Sequence, residues 1–142
     1  MQNILVLCIG NICRSPVAQV LLAQALPDKT VLSAGLGALV GEPADRHSLA
    51  LTADAGLDLS DHRAAQVNRA MCAWADLILV MEDAHRIELE RRYPMVRGKV
   101  FRLVATADIA DPFRRPRAAF ETAYADIERG VGAWAERIRR LG

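Results

Sequence analysis

Little in this 142-residue chain could cross-link it or hold a metal. Its three cysteines, Cys8, Cys13 and Cys72, are an odd number without a repeated ligand spacing. That argues against a secreted disulfide framework and for a reducing, cytoplasmic setting, with no metal expected. Long apolar runs are also missing. The first one, Asn3 to Leu7, lacks a basic flank and is too short for a signal peptide or a membrane span, so no membrane insertion is expected. Charge of one sign is missing too: 18 basic against 17 acidic side chains leave a formal +1. Such a balance exerts no long-range pull on nucleic acid or anionic lipid, so any anion site must be local. Lysine is scarce, with arginine in its place and many alanines beside it, a composition associated with GC-rich bacterial genomes. No linker, repeat or low-complexity stretch interrupts residues 1–142, which suit one domain able to bury an ordinary core.

What is present alternates between strand and helix patterns. Asn3 to Leu7 (NILVL) has the continuous apolar character of a strand buried on both faces. Ser15-Pro16 has the chemistry of a helix start, with Ser as N-cap, and Val17, Val20, Leu21 and Ala25 keep a helical period until Pro27. Thr30 to Ala34 and Asp76 to Met81 read as further strands, and Lys99 to Leu103 as a fourth. Helices are expected over Asp45 to Ala55, Gln66 to Ala75, from Glu82-Asp83 to before Pro94, and from Pro116 onward. The last carries one apolar stripe through Phe120, Tyr124, Ile127, Val131, Trp134, Ile138 and Leu141. The expected fold is α/β: three layers, a central four-stranded parallel sheet flanked by helices on both faces, and a phosphate-binding loop after the first strand. Ligands in such folds bind beyond the carboxyl ends of the strands.

The segment at that place is Cys8-Ile9-Gly10-Asn11-Ile12-Cys13-Arg14-Ser15. A lone cysteine would read as a small buried hydrophobe. Here the thiol enters a loop that runs into a helix N-terminus, where backbone N–H groups and the helix dipole favour a thiolate and equally a phosphate. Arg14 can wrap back and offer a bidentate fork to two phosphate oxygens. Gly10 is expected to relieve the tightest point of the turn, and Asn11 to tolerate left-handed geometry. Ser15 can donate its hydroxyl to the Cys8 sulfur. A nucleoside-triphosphate loop would end in Gly-Lys-Ser/Thr, which this one lacks.

C-x5-R-S at the very N-terminus resembles the low-molecular-weight protein tyrosine phosphatases. Ser33-Ala34-Gly35, Asp61-His62, the strand end Leu77 to Glu82 and Asp111-Pro112 fall where that family has their counterparts. SAGLGALVGEPAD, Ser33 to Asp45, is most similar to the bacterial branch that acts with capsule and exopolysaccharide tyrosine kinases. The resemblance implies Cys8 as nucleophile, Arg14 as transition-state clamp and Asp111 as general acid, with Ile9, Gly10, Asn11, Ile12, Cys13 and Ser15 binding the phosphate. It also implies a supporting network of Asn11, Ser15, Ser33 and His62, although His62 alone would read as a surface or capping residue. Phe113 should line one wall of a phenol slot and Leu39 the other. Cys13 is the family's backup thiol for a reversible disulfide with Cys8; packing is the other reading. Ala65 departs from an arginine common at that place.

The implied partners are tyrosine-phosphorylated proteins, including a membrane tyrosine autokinase; no cofactor is implied. Asp45 and Asp108 read as turn or cap residues, His47 and His85 as solvated, and Cys72, Tyr124 and Trp134 as core. The arginines at 114, 115 and 117 form a charged rim that could attract acidic substrate tails. Two other functions compete. Arsenate reduction on the same fold needs two further cysteines, whereas only Cys72 lies beyond the loop. A non-catalytic phosphotyrosine-binding module would tolerate loss of Cys8, Arg14 or Asp111, and all are present.

Overall fold

In the computed structural model, which describes residues 1–141, four parallel strands form one sheet, and its two inner strands are almost wholly buried. They are β1 (Asn3–Cys8), β2 (Thr30–Gly35), β3 (Leu77–Val80) and β4 (Val100–Arg102). The helices are α1 (Arg14–Ala25), α2 (Arg46–Asp54), α3 (Arg69–Trp74), α4 (Asp83–Arg92) and α5 (Arg117–Leu141), with one 3-10 turn over Pro94–Val96.

Strand order is β2-β1-β3-β4, so β1 and β3 are the inner strands. Their alternating side chains divide the core into two layers, as the two-residue period requires. Ile4, Val6, Cys8, Leu77 and Leu79 meet α1 and α5, through Val17, Leu22, Ile127 and Trp134 among others. Leu5, Leu7, Ile78 and Val80 pack on the other face with Cys72, Leu89 and Val96. The three-layer parallel architecture read from the sequence is therefore the observed one. Asp76, just before β3, accepts hydrogen bonds from the backbone N–H groups of Gln2 (2.8 Å) and Asn3 (2.9 Å) and ties the start of β1 to β3. These bonds hold the Asp76 carboxyl below its ordinary pKa. On α5, a Cβ at Gly130 would lie 2.9 Å from the Leu103 carbonyl oxygen, so glycine lets the helix close on the end of β4.

Two local readings change. α1 begins at Arg14 with Cys13 in the cap position and no side-chain cap, because the Ser15 hydroxyl is committed elsewhere. The helix expected from Gln66 starts only at Arg69, capped by Asn68 through the N–H of Met71 (2.8 Å). Gln66 instead pairs with Gly35 in a parallel bridge.

The sheet reverses winding at β1: the chain leaves it for β2 on one side, and β3 lies on the other. The cleft at the carboxyl ends therefore opens where the segments after β1, β2 and β4 converge, the expected place for a ligand in an open α/β sheet.

Candidate active site

The loop after β1 turns its carbonyls outward, and each has a partner. Leu36, Gly37 and Leu39 donate their backbone N–H groups to the carbonyls of Cys8 (2.9 Å), Ile9 (3.0 Å) and Gly10 (3.1 Å). His62 Nε2 donates to the Asn11 carbonyl (2.6 Å), Asp45 N–H to Ile12 (2.9 Å) and the Ser48 hydroxyl to Cys13 (3.1 Å). The amides of Gly10, Asn11, Ile12 and Cys13, by contrast, donate to no group among the described residues. A run of unpartnered backbone N–H groups ahead of a helix N-terminus is an anion-binding concavity.

Beneath the loop the polar side chains are fully committed, and their protons can be assigned. Ser33 donates to Gln19 Oε1 (2.6 Å) and accepts from Asn11 Nδ2 (3.0 Å). The same amide nitrogen donates to Ser15 Oγ (2.8 Å), which leaves the Ser15 proton to point at Cys8 Sγ, 3.0 Å away. Asn11 Oδ1 accepts the Ala65 N–H (2.9 Å), so the backbone serves where the side chain is short. Asn11 is the left-handed residue of the turn, at φ 60°. Gly10 is not: its φ is not positive, and a Cβ there would meet only ordinary van der Waals neighbours. The glycine that the loop cannot replace is Gly35, where a Cβ would stand 2.3 Å from the Ile9 carbonyl oxygen.

Arg14 is 1 % exposed, and one end of its fork is held by protein. Nη1 donates to Glu82 Oε2, after β3, and to the Ile109 carbonyl, after β4, both at 2.6 Å. Nε is buried without a partner, and Nη2 lies 3.7 Å from Asp111 Oδ2. The Nε–Nη2 edge, which matches a pair of phosphate oxygens, is thus the uncommitted one.

Across the cleft, Asp111 keeps 44 % of its side chain exposed and accepts the Phe113 N–H (3.1 Å). Asp111, Leu39 and Phe113 line the same cavity of about 150 Å³ as Cys8, Ile9, Gly10, Ile12, Cys13 and Arg14. Asp108, three residues earlier, is committed otherwise. It accepts the Asp83 N–H (2.9 Å) and an Arg102 N–H (3.1 Å), which hold its carboxyl below the ordinary pKa. Asp45 caps α2 through the His47 N–H.

The sequence-predicted loop, network and wall residues are thus brought together. Three residues were missed. Gln19 and Glu82 were read as helix residues, since nothing local marks a glutamine or a glutamate as the anchor of a distant side chain. His85, expected in solvent, is 3 % exposed. His47 is half-buried, with its ring 4.8 Å from that of Phe120. The rim also differs in part: Arg114 stacks on Phe113 at 5.1 Å, while Arg117 pairs with Asp54 at 3.4 Å. Cys72 is fully buried, as expected for core. Cys13 is buried, and its thiol pKa is pushed up first by that burial and then by the charges of Asp45, Cys8 and Asp111.

The chain is similar along nearly its whole length to known proteins. A Ralstonia nicotianae protein named "Probable low molecular weight protein-tyrosine-phosphatase EpsP" is 52 % identical over 99 % of this chain and 99 % of its own. The low molecular weight protein-tyrosine-phosphatase Wzb of Escherichia coli K12 is 43 % identical over 96 % of this chain and 95 % of its own. The solved structure of Vibrio vulnificus Wzb in complex with benzylphosphonate superposes with a TM-score of 0.93 at 40 % identity, covering 96 % of this chain and 98 % of that one. Residues 3–141 match the family described as low molecular weight phosphotyrosine protein phosphatase, and the chain belongs to that family.

Proposed function

We propose that this chain hydrolyses phosphotyrosine in proteins through a phosphocysteine intermediate, and that a membrane tyrosine autokinase of exopolysaccharide production is its substrate. The observation that carries the chemistry is the half-committed guanidinium of Arg14, which lines one cavity with Cys8 and the loop of unpartnered amides. Three equatorial phosphoryl oxygens in the transition state would find donors already in place, without reorganisation.

The Cys8 thiolate attacks phosphorus and forms a sulfur–phosphorus bond. The bond to the phenolic oxygen breaks, and that oxygen takes the proton of Asp111. The resulting carboxylate then removes a proton from water, whose oxygen attacks the phosphocysteine. Inorganic phosphate leaves, and the thiolate returns to the hydrogen bond of Ser15. Leu39 and Phe113 hold the phenol ring between an aliphatic and an aromatic wall. Two features support this partner: the likeness of the Ser33 to Asp45 segment to the exopolysaccharide branch, and the charges of Arg114 and Arg115 beside the acid, suited to a tail bearing several phosphotyrosines. Arsenate reduction has no support in the thiols, since Cys72 lies in the core.

A Cys8→Ser trap should retain the phosphorylated autokinase of the same organism, and the wild-type protein should strip its phosphate. Cleavage of small aryl phosphates with the kinase left untouched would remove the partner. No turnover of either would remove the chemistry.

A further inference from the structure

His85 takes no part in the steps above, yet it is buried in the first turn of α4 behind the clamp. Its Nε2 lies 3.4 Å from Glu82 Oε2, the same oxygen on which Arg14 Nη1 rests at 2.6 Å. Its Nδ1 is buried and has no partner. A neutral imidazole carries one N–H, and an N–H buried without an acceptor is costly. The proton therefore belongs on Nε2, 3.4 Å from the carboxylate, and Nδ1 keeps only a lone pair. Glu82 Oε2 then lies between two donors from different elements.

We propose that His85 is a positioning residue for the phosphate clamp: its neutral ring fixes Glu82 Oε2, and through it the angle at which Arg14 presents its free edge to the cleft. This rests on the role given to Arg14 above. The charged groups around His85 are Arg14 at the start of α1, Glu82 ahead of α4, and Asp108 and Asp111 in the segment after β4. Burial and the Arg14 charge keep the ring neutral and place its pKa below the ordinary histidine value, against the pull of the three carboxylates. Protonation would set a second cation on the oxygen that holds Arg14 and turn Nδ1 into a buried donor without an acceptor. The clamp should loosen as pH falls through this titration.

A double-mutant cycle tests the idea, with His85→Leu and His85→Gln made alone and with Glu82→Gln. Phosphate affinity is read as protection of Cys8 from iodoacetate by inorganic phosphate, beside kcat/KM for an aryl phosphate and the melting curve. His85→Leu should weaken phosphate binding roughly tenfold in the wild-type background and less than about twofold once Glu82 is Gln, the pattern of two residues in one network. His85→Gln, which keeps an N–H donor, should recover most of the loss. Wild-type phosphate affinity and kcat/KM should show a fall on the acid side that both His85 variants lack. Equal costs in the two backgrounds, or the same acid limb in every protein, would overturn the proposal. Should His85→Leu not fold, the acid limb decides the proposal: it should be present in the wild type and absent from the Gln variant. A wild-type protein that binds phosphate but turns over no ester would instead sink the proposed function, while the phosphate cycle would still decide His85.

Discussion

Between Cys8 and Ser15 each loop carbonyl and each polar side chain beneath it has a partner, and Asn11, Arg14 and Ser15 are at most 1 % exposed. Between Asp111 and Arg115 the chain is held by few bonds, the Phe113 N–H to Asp111 and the Arg115 N–H to the Pro112 carbonyl among them, and both Asp111 and Phe113 reach solvent. One loop is fixed in advance by a network; the other rests on its surface contacts. The difference matches what each would do in the proposed reaction. A phosphoryl group needs donors that do not move during reaction, whereas a proton donor must admit a substrate and let a product leave. Damage to the first loop should therefore register in folding and function together, and damage to the second in function alone.

The sharpest test of that separation is Asp111→Asn. General acid catalysis is typically worth ~10² to 10⁴ in rate, and a loss in that range is expected for phosphotyrosine, with much less for esters of acidic phenols. Single-turnover rates across a series of aryl phosphates check it: the variant should depend more steeply on leaving-group pKa. Stability should barely change, since the Asp111 carboxylate is 44 % exposed and comes no closer than 3.7 Å to buried Arg14, a half-solvated contact on the scale of about 1 kcal/mol or less. Next in size is Asn11→Ala, which leaves the Ala65 N–H without its acceptor and Ser15 and Ser33 without their donor. Unfolding by urea should show a loss of about 1 to 3 kcal/mol, the scale for a buried partner removed, together with reduced turnover. Smallest is Phe113→Ala. An aromatic contact of about 0.5 to 1.5 kcal/mol corresponds to a KM for aryl phosphates raised roughly two- to tenfold, with the melting temperature unmoved. A stability loss at Phe113 larger than at Asn11 would break the comparison.

The sheet and the loop were legible because their signals are local. NILVL can hardly be other than a buried strand, and C-x5-R-S sets thiol, amides and guanidinium within one turn of chain. Asn11 was identified as the left-handed residue from its chemistry alone, while Gly10 was credited with a strain that Asn11 takes. Glu82, Gln19 and His85 lay out of reach for the opposite reason. Glu82 is 68 positions from Arg14, and its role depends on β1 and β3 being neighbours. In sequence it is an acid before a helix; in space it is the counter-charge of Arg14. His85 follows it, since burial at one helix turn depends on what the segment after β4 places over it.

Asp76 and its two bonds to the start of β1 bear on something farther away. Apolar on both faces, β1 would bury Ile4, Leu5, Val6 and Leu7 nearly as well after sliding by one residue, so hydrophobicity alone sets its count poorly. A slide would bring the sulfur out on the opposite side of the sheet, away from Ser15. The carboxylate at Gln2 and Asn3 thus works as the zero mark of a ruler whose far end is Cys8. A miscounted strand would give a protein that is folded, compact and silent.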